Sequence, residues 1–191
     1  YSAPFNRDAP VPAIGASSAP ALVRDDDGGG WCLQFDGGQY ATLPHEVFPR
    51  GEFTLTFEIE PRSQASQVLF RHHGISIGSL TLVLRRGNLH GSFVDHRLKV
   101  TEFDTGLPVP AGVWSTVVVA YDLHTLRFTV NGQTRAYPYA GRALYFAPSV
   151  FGGHSKPFGG LRPGDAFFTG RLRRLGIRHQ AERPGDSASD G

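Results

Sequence analysis

From Trp31 onward the hydrophobic positions recur with a period of two. Phe53, Leu55, Phe57 and Ile59 alternate with Thr54, Thr56, Glu58 and Glu60, which predicts a strand with one dry and one wet face. Leu80, Leu82 and Leu84 alternate with Thr81 and Val83, and Arg86-Gly87-Asn88 turns the chain back into a strand over 89–94. A longer apolar strand is predicted over 113–121. Leu126, Phe128 and Val130 alternate with Arg127 and Thr129 and run straight into Asn131-Gly132. An alternating run followed by Asn-Gly specifies a tight hairpin, because both central residues need positive φ. Segments 145–151 and 167–178 complete the set. No segment holds helical spacing for three turns and no internal repeat is visible, so the pattern predicts an all-β sandwich or jelly roll.

The ends of the chain read differently. Residues 1–30 carry Pro4, Pro10, Pro12 and Pro20 among Ala and Ser and close on Asp25-Asp26-Asp27 and three glycines. That composition predicts a linker, with an extended arm lying along the body as the alternative. The sandwich is assigned to 31–180, and 181–191 is expected to be a flexible tail. Tyr1 in first position leads us to expect a chain matured or excised from something larger.

Composition sharpens the class. The chain is 40% hydrophobic and 12% aromatic, with 14 Phe, 24 Gly, 14 Pro and no Met, a strand-and-turn inventory. A net charge of +2 gives no argument for nucleic acid. No run is long enough for a membrane span. Cys32 is the only cysteine, which excludes an internal disulfide.

The order of these signals resembles the laminin-G-like branch of the concanavalin A-like jelly rolls. The residues that carry the resemblance are LQFDGGQYATLP, GEFTLTFEIEP, the Arg-Arg-Gly-Asn-Leu hairpin, VPAGVWSTVVVAYDLHTLRFTVNG and the closing FFTGRLRRLGIRH. The resemblance implies a concanavalin A-like jelly-roll β-sandwich of two antiparallel sheets. It also implies carbohydrate or protein binding, often as an accessory module of a secreted carbohydrate-active enzyme. Trp114, Val117, Val119 and Tyr121 are expected between the sheets. Many relatives hold a structural calcium with acidic residues in a "GxIDD"-like last strand. Here Gly170-Arg171-Leu172-Arg173-Arg174 puts arginines there, and guanidinium offers a cation no oxygen. Asp36 is the remaining calcium-ligand candidate, although its place in an Asp-Gly pair also reads as a turn. No other cofactor is expected.

Several catalytic signatures are present in part. Glu102-Phe103-Asp104 begins the Glu-x-Asp-x-x-Glu strand of related glycosidases and puts two carboxylates on one face. Gly106 and Leu107 follow, so the third carboxylate that would serve as proton donor is missing. Gly74-Ile75-Ser76-Ile77-Gly78 matches a nucleophile elbow, but it leads into a strand rather than a helix. His72-His73 would point to opposite faces of a strand, one packed and one exposed, which disfavours a shared metal. In FGGHSKPFGG, residues 151–160, Lys156 precedes Pro157, so no phosphate-binding helix starts. That loop is left as a turn or a ligand contact whose glycines admit a sugar. Basic residues gather late in the chain, at Lys156, Arg162, Arg171, Arg173, Arg174 and Arg178. They read as a solvated face or as contacts for an anionic polysaccharide.

The resulting expectation is a non-catalytic carbohydrate-binding or accessory module of a larger secreted, bacterial, extracellular or periplasmic glycan-active enzyme. Its expected partners are a polysaccharide or oligosaccharide and a catalytic domain, with no nucleic acid and no membrane span. The ligand-binding candidates are Arg71, His73, Arg97, Tyr137, Tyr139, His154 and Lys156. The alternatives are a structural module packed on a catalytic domain, and a polysaccharide lyase or glycosidase with an unrecognised site.

Overall fold

The computed structural model describes residues 2–3, 19–25, 30–43, 51–72, 80–94, 97, 99–140, 149–153 and 166–181. Every regular element among them is a strand. In chain order they are β1 (Ser2–Ala3), β2 (Ala21–Asp25), β3 (Gly30–Asp36), β4 (Ala41–Leu43), β5 (Phe53–Pro61), β6 (Gln67–His72), β7 (Leu80–Arg85) and β8 (Asn88–Val94). There follow β9 (Val100–Pro108), β10 (Ser115–Tyr121), β11 (Thr125–Val130), β12 (Gln133–Pro138), β13 (Ser149–Phe151), β14 (Ala166–Phe167) and β15 (Thr169–Arg178). The first sheet has the order β12-β11-β10-β5-β15-β3-β2, with β1 added to β15; the second has the order β4-β13-β6-β7-β8-β9, with β14 added to β6. Pairing is antiparallel except between β14 and β6.

The alternation in the sequence sets the faces. Phe53, Leu55, Phe57 and Ile59 of β5 are buried in the core, while Thr56, Glu58 and Glu60 are only half-buried. Opposite them Leu80, Leu82, Leu84, Leu89 and Phe93 supply the inner face of the second sheet. His72 also points inward and meets the Ser149 hydroxyl at 3.0 Å, which matches the packed histidine expected there. Both tight turns form with positive φ at their central pairs, Arg86 and Gly87 at 51° and 73°, Asn131 and Gly132 at 48° and 81°. Asn131 also accepts the Thr116 N–H through Oδ1 at 2.9 Å, which ties the hairpin tip to β10.

Three expectations change. Residues 21–25 lie in the stretch assigned to a linker, yet they form β2 and pair in full with β3. The arm alternative is what this segment adopts, and it is fastened by Asp25, whose carboxylate meets Arg171 and Arg173 of β15. The strand expected over 145–151 is seen only at 149–151, because 141–148 lie outside the described residues. Trp114 is not between the sheets. Ser115 pairs with Ile59 and points inward, so the preceding position faces out, and Arg171 and Arg173 lie over the Trp114 ring at 5.2 and 4.0 Å. Two guanidiniums on an indole face form a cation–π stack that suits the sheet surface.

Two predictions follow from the packing. A Cβ at Gly91 would stand 2.5 Å from the Phe128 ring across the core, so Gly91→Ala should destabilise by about 1–3 kcal/mol, read from urea midpoints. Tyr121 is fully buried, and burial, helped by the Asp122 charge, pushes its hydroxyl up to about 12. A tyrosine in the unfolded chain ionises near about 10. Stability from this group is therefore complete below about pH 10 and falls as pH rises toward 12. Wild type should lose roughly 2 kcal/mol over that interval that Tyr121→Phe does not lose, measured by urea unfolding at each pH.

Candidate functional site

Strand direction sorts the expected ligand contacts to two ends of the sandwich. β6, β8, β10 and β12 all finish at one end. Arg97 is exposed there, in the β8–β9 connection. Tyr139 follows β12, donates its N–H to the His124 carbonyl at 2.8 Å, and packs its ring on Phe93 and Tyr121 at 4.8 and 6.0 Å. The β6–β7 connection leaves from this end too; His73, within it, lies outside the described residues. Asp36 and the start of the glycine-framed loop sit at the opposite end. Gly152 donates to the Leu69 carbonyl and accepts from the Phe168 N–H, both at 2.8 Å. A Cβ on Gly152 would meet the Phe35 ring at 2.5 Å, and one on Gly153 the Phe167 ring at 2.3 Å. At these two positions the glycines make room for the protein's own aromatics. His154 and Lys156 lie outside the described residues.

Arg71 is not at a surface. It points to the outer face of the second sheet, is 1% exposed, and burial pulls its guanidinium below the ordinary range. The register shows what shares that face. Arg71 pairs with Thr81, Thr81 with Ser92, and Ser92 with Glu102. Directly paired residues of antiparallel strands point the same way, so these four form one polar row across β6, β7, β8 and β9. The adjacent row runs Val83, His90, Asp104. Burial falls along the first row: Arg71, Thr81 and Ser92 are buried and Glu102 is exposed.

A bulge sets the second row. Leu89 pairs with Leu107 but His90 pairs with Asp104, leaving Thr105 and Gly106 without opposite partners. The Thr105 hydroxyl donates to the Leu89 carbonyl at 2.6 Å and accepts from the Leu107 N–H at 3.1 Å, while Gly106 takes φ 61°. Bulges of this kind re-aim side chains, and here the Asp104 carboxylate comes within 3.6 Å of His90 Nδ1. Tyr137 joins from β12, donating its hydroxyl to the Asp104 carbonyl at 2.7 Å. Burial and the Asp104 charge raise the pKa of that phenol. The polar groups that geometry assembles on the outer face are therefore His90, Ser92, Glu102 and Asp104, beside buried Thr81, with Tyr137 bracing the Asp104 backbone from the core side. Of these only Tyr137 was a ligand candidate from sequence. The period-two polar positions in LTLVL, LHGSF and VTEFD were the available signal, but pairing partners are not encoded in any one strand.

Of the late basic residues, Arg162 lies outside the described residues, and Arg171, Arg173 and Arg174 are committed elsewhere. Arg173 donates to Glu58 at 2.6 Å and to Asp25, Arg171 donates to Glu60, and Arg174 donates to Glu58 at 2.8 Å. The Glu60 hydrogen bond holds Arg171 above even the usual guanidinium range. These three side chains neutralise carboxylates of β2 and β5 rather than forming a basic face. Asp36 accepts from Arg62 Nη1 at 2.8 Å and from Gln34 Nε2 at 3.4 Å. Both donors reach Oδ1 of this carboxylate. Among the described residues no three His, Cys, Asp or Glu side chains group to hold a metal.

Two antiparallel sheets closed over one core define a jelly-roll sandwich. Residues 35–182 match the laminin G-like family described as the Concanavalin A-like lectin/glucanases superfamily, and the chain belongs to that family. None of the curated proteins matches it. Among solved structures it is similar to domain 4 of AbnA, a GH43 extracellular arabinanase from Geobacillus stearothermophilus in complex with arabinotriose. That likeness has 15% identity and a TM-score of 0.71, over 88% of this chain and 79% of that one. It is also similar to domains LG4-5 of the mouse laminin alpha1 chain, with 19% identity and a TM-score of 0.64 over 79% of this chain and 43% of that one. The ligand-binding domain of botulinum neurotoxin serotype D in complex with N-acetylneuraminic acid gives 14% identity and a TM-score of 0.59, over 90% and 43%. The chain thus spans less than half the length of the laminin and neurotoxin structures.

Because the Tyr137 hydroxyl bridges the edges of the two sheets, Tyr137→Phe should cost about 1 kcal/mol. Urea unfolding of the two proteins side by side checks it.

Proposed function

We propose that this chain is a non-catalytic carbohydrate-binding module, accessory to a larger secreted glycan-active enzyme. The observation that carries the reading is the likeness, across most of both chains, to an arabinanase domain seen with arabinotriose. The surface that suits the role is the outer face of the second sheet at β8 and β9. His90, Ser92, Glu102 and Asp104 offer donors and acceptors at strand positions fixed by register, and rigid placement lowers the ordering cost of a weak polar ligand. Arg97 and Tyr137 are proposed as flanking contacts. Arg71 and Tyr139 are packed inward of the surface and act as support. An extracellular setting goes with the reading, since the arabinanase is extracellular, and among the described residues no helix is long and apolar enough to cross a membrane.

A glycan array probed with the isolated chain, with and without a chelator, tests this. Binding to at least one oligosaccharide class, unchanged by the chelator, is the expected result. A chain that retains its fold and binds no glycan would point instead to a module that only packs on a partner domain.

A further inference from the structure

The first sheet ends at β12, and that strand overhangs the core. Arg135 pairs with Phe128 and Gln133 with Val130. Both partners are buried, yet Gln133, Thr134, Arg135 and Ala136 are all exposed. The second sheet meets β12 further along, at Tyr137, whose hydroxyl reaches the Asp104 carbonyl. Register decides which backbone groups face outward. Asn131-Gly132 is a two-residue loop, which makes Val130 and Gln133 a hydrogen-bonded pair. Tyr139 donates to the His124 carbonyl at 2.8 Å, so the odd-numbered residues are the ones that bond β11. Thr134 and Ala136 therefore turn their N–H and C=O groups to the open edge. Pro138, next in that set, has no N–H to leave open.

Four strands end the two sheets, β2, β4, β9 and β12, and proteins blunt such edges with short strands, bulges and charge. β4 has three residues, β9 carries its bulge beside Glu102 and Asp104, and β2 has Arg24 and Asp25 among five. β12 holds six residues in unbroken register with one charge, Arg135. Among the described residues that guanidinium bonds the neighbouring Thr134 carbonyl at 3.3 Å and pairs with no carboxylate. We propose that the open edge of β12 takes an extended, acidic peptide segment as an added strand. Thr134 and Ala136 supply the backbone hydrogen bonds, as in other cases of strand addition. An incoming N–H replaces Arg135 on the Thr134 carbonyl, and an acidic side chain of the added strand then meets the released guanidinium. This surface is separate from the carbohydrate-binding face and does not depend on it.

Hydrogen exchange of the intact chain, read amide by amide by NMR, tests this with two capped peptides, Thr-Glu-Thr-Glu-Thr-Glu and Thr-Lys-Thr-Lys-Thr-Lys. Without peptide, the Thr134 and Ala136 amides should exchange at least about tenfold faster than those of Arg135 and Tyr137. The glutamate peptide should slow both by about tenfold, and the lysine peptide neither. Ala136→Pro removes an edge N–H outside the β11 ladder and should weaken the glutamate peptide about tenfold. Arg135 is exposed, so Arg135→Glu should keep the fold and transfer the preference to the lysine peptide. Slow Thr134 and Ala136 amides in dilute protein without peptide would mean a closed edge and would overturn the proposal. So would exchange that neither peptide alters, or variants that bind as wild type does. Protection that grows with protein concentration alone would give the edge to a second copy instead. Equal binding of the two peptides would overturn the acidic class.

Discussion

Phe57 of the first sheet meets Phe151 of the second at 5.2 Å, Phe103 meets Phe128 at 5.7 Å, and Phe93 meets Tyr121 at 6.0 Å. These aromatic pairs cross from one sheet to the other, and their centroid separations are those of favourable edge and tilted contacts. They fix how closely the sheets approach and in what register. Gly91 shows how tight that fit is, since the Phe128 ring occupies the space of a missing Cβ. Once the inner faces are locked, every second residue of each strand is driven outward by the pleat. The outer rows are thus consequences of the inner packing. Thr81, Ser92 and Glu102 line up because Leu80 and Leu82, Phe93 and Phe103 are held in the core on either side of them.

The two outer faces answer that constraint in opposite ways. On the first sheet, Glu58, Glu60 and Asp25 meet Arg171, Arg173 and Arg174, and two of those guanidiniums also cover Trp114. These carboxylates and guanidiniums are paired with one another within the protein, and the arrangement ties β2 to β15. Partial burial makes such a network costly to break, so its role is to hold the N-terminal strand on the sheet. On the second sheet the outer face carries the polar row and the His90–Asp104 pair. Thr81 has a hydroxyl without a partner, and Asp104 is 78% exposed beside His90.

Most of the architecture was legible because alternation is a local property. FTLTFEIE, LRFTV and the Asn-Gly turn each declare a strand or hairpin without reference to anything distant. Trp114 was misplaced because an aromatic in an apolar run reads as core, whereas its facing is set by Ser115 against Ile59 across the ladder. The arginines of β15 looked like a basic patch because their partners, Glu58, Glu60 and Asp25, are more than a hundred residues away. The site was the least legible part. Thr81, Ser92 and Glu102 come from three strands, and β9 carries a two-residue bulge that Gly106 marks without giving the pairing that results.

That bulge explains why the second row holds an acid opposite a histidine. Were the pairing that starts at Leu89 and Leu107 to run on without the bulge, the residue opposite His90 would be Gly106 rather than Asp104. Antiparallel polarity selects Gly106, which has no side chain to offer. Two inserted residues preserve the inward facing of Phe103 and Leu107, because a shift of two keeps each side chain on its own face. They also slide the acidic residues along β8 until Asp104 faces His90 and Glu102 faces Ser92. The bulge thereby changes what the outer face presents while leaving the core untouched, which is how one β-sandwich frame can carry different binding surfaces.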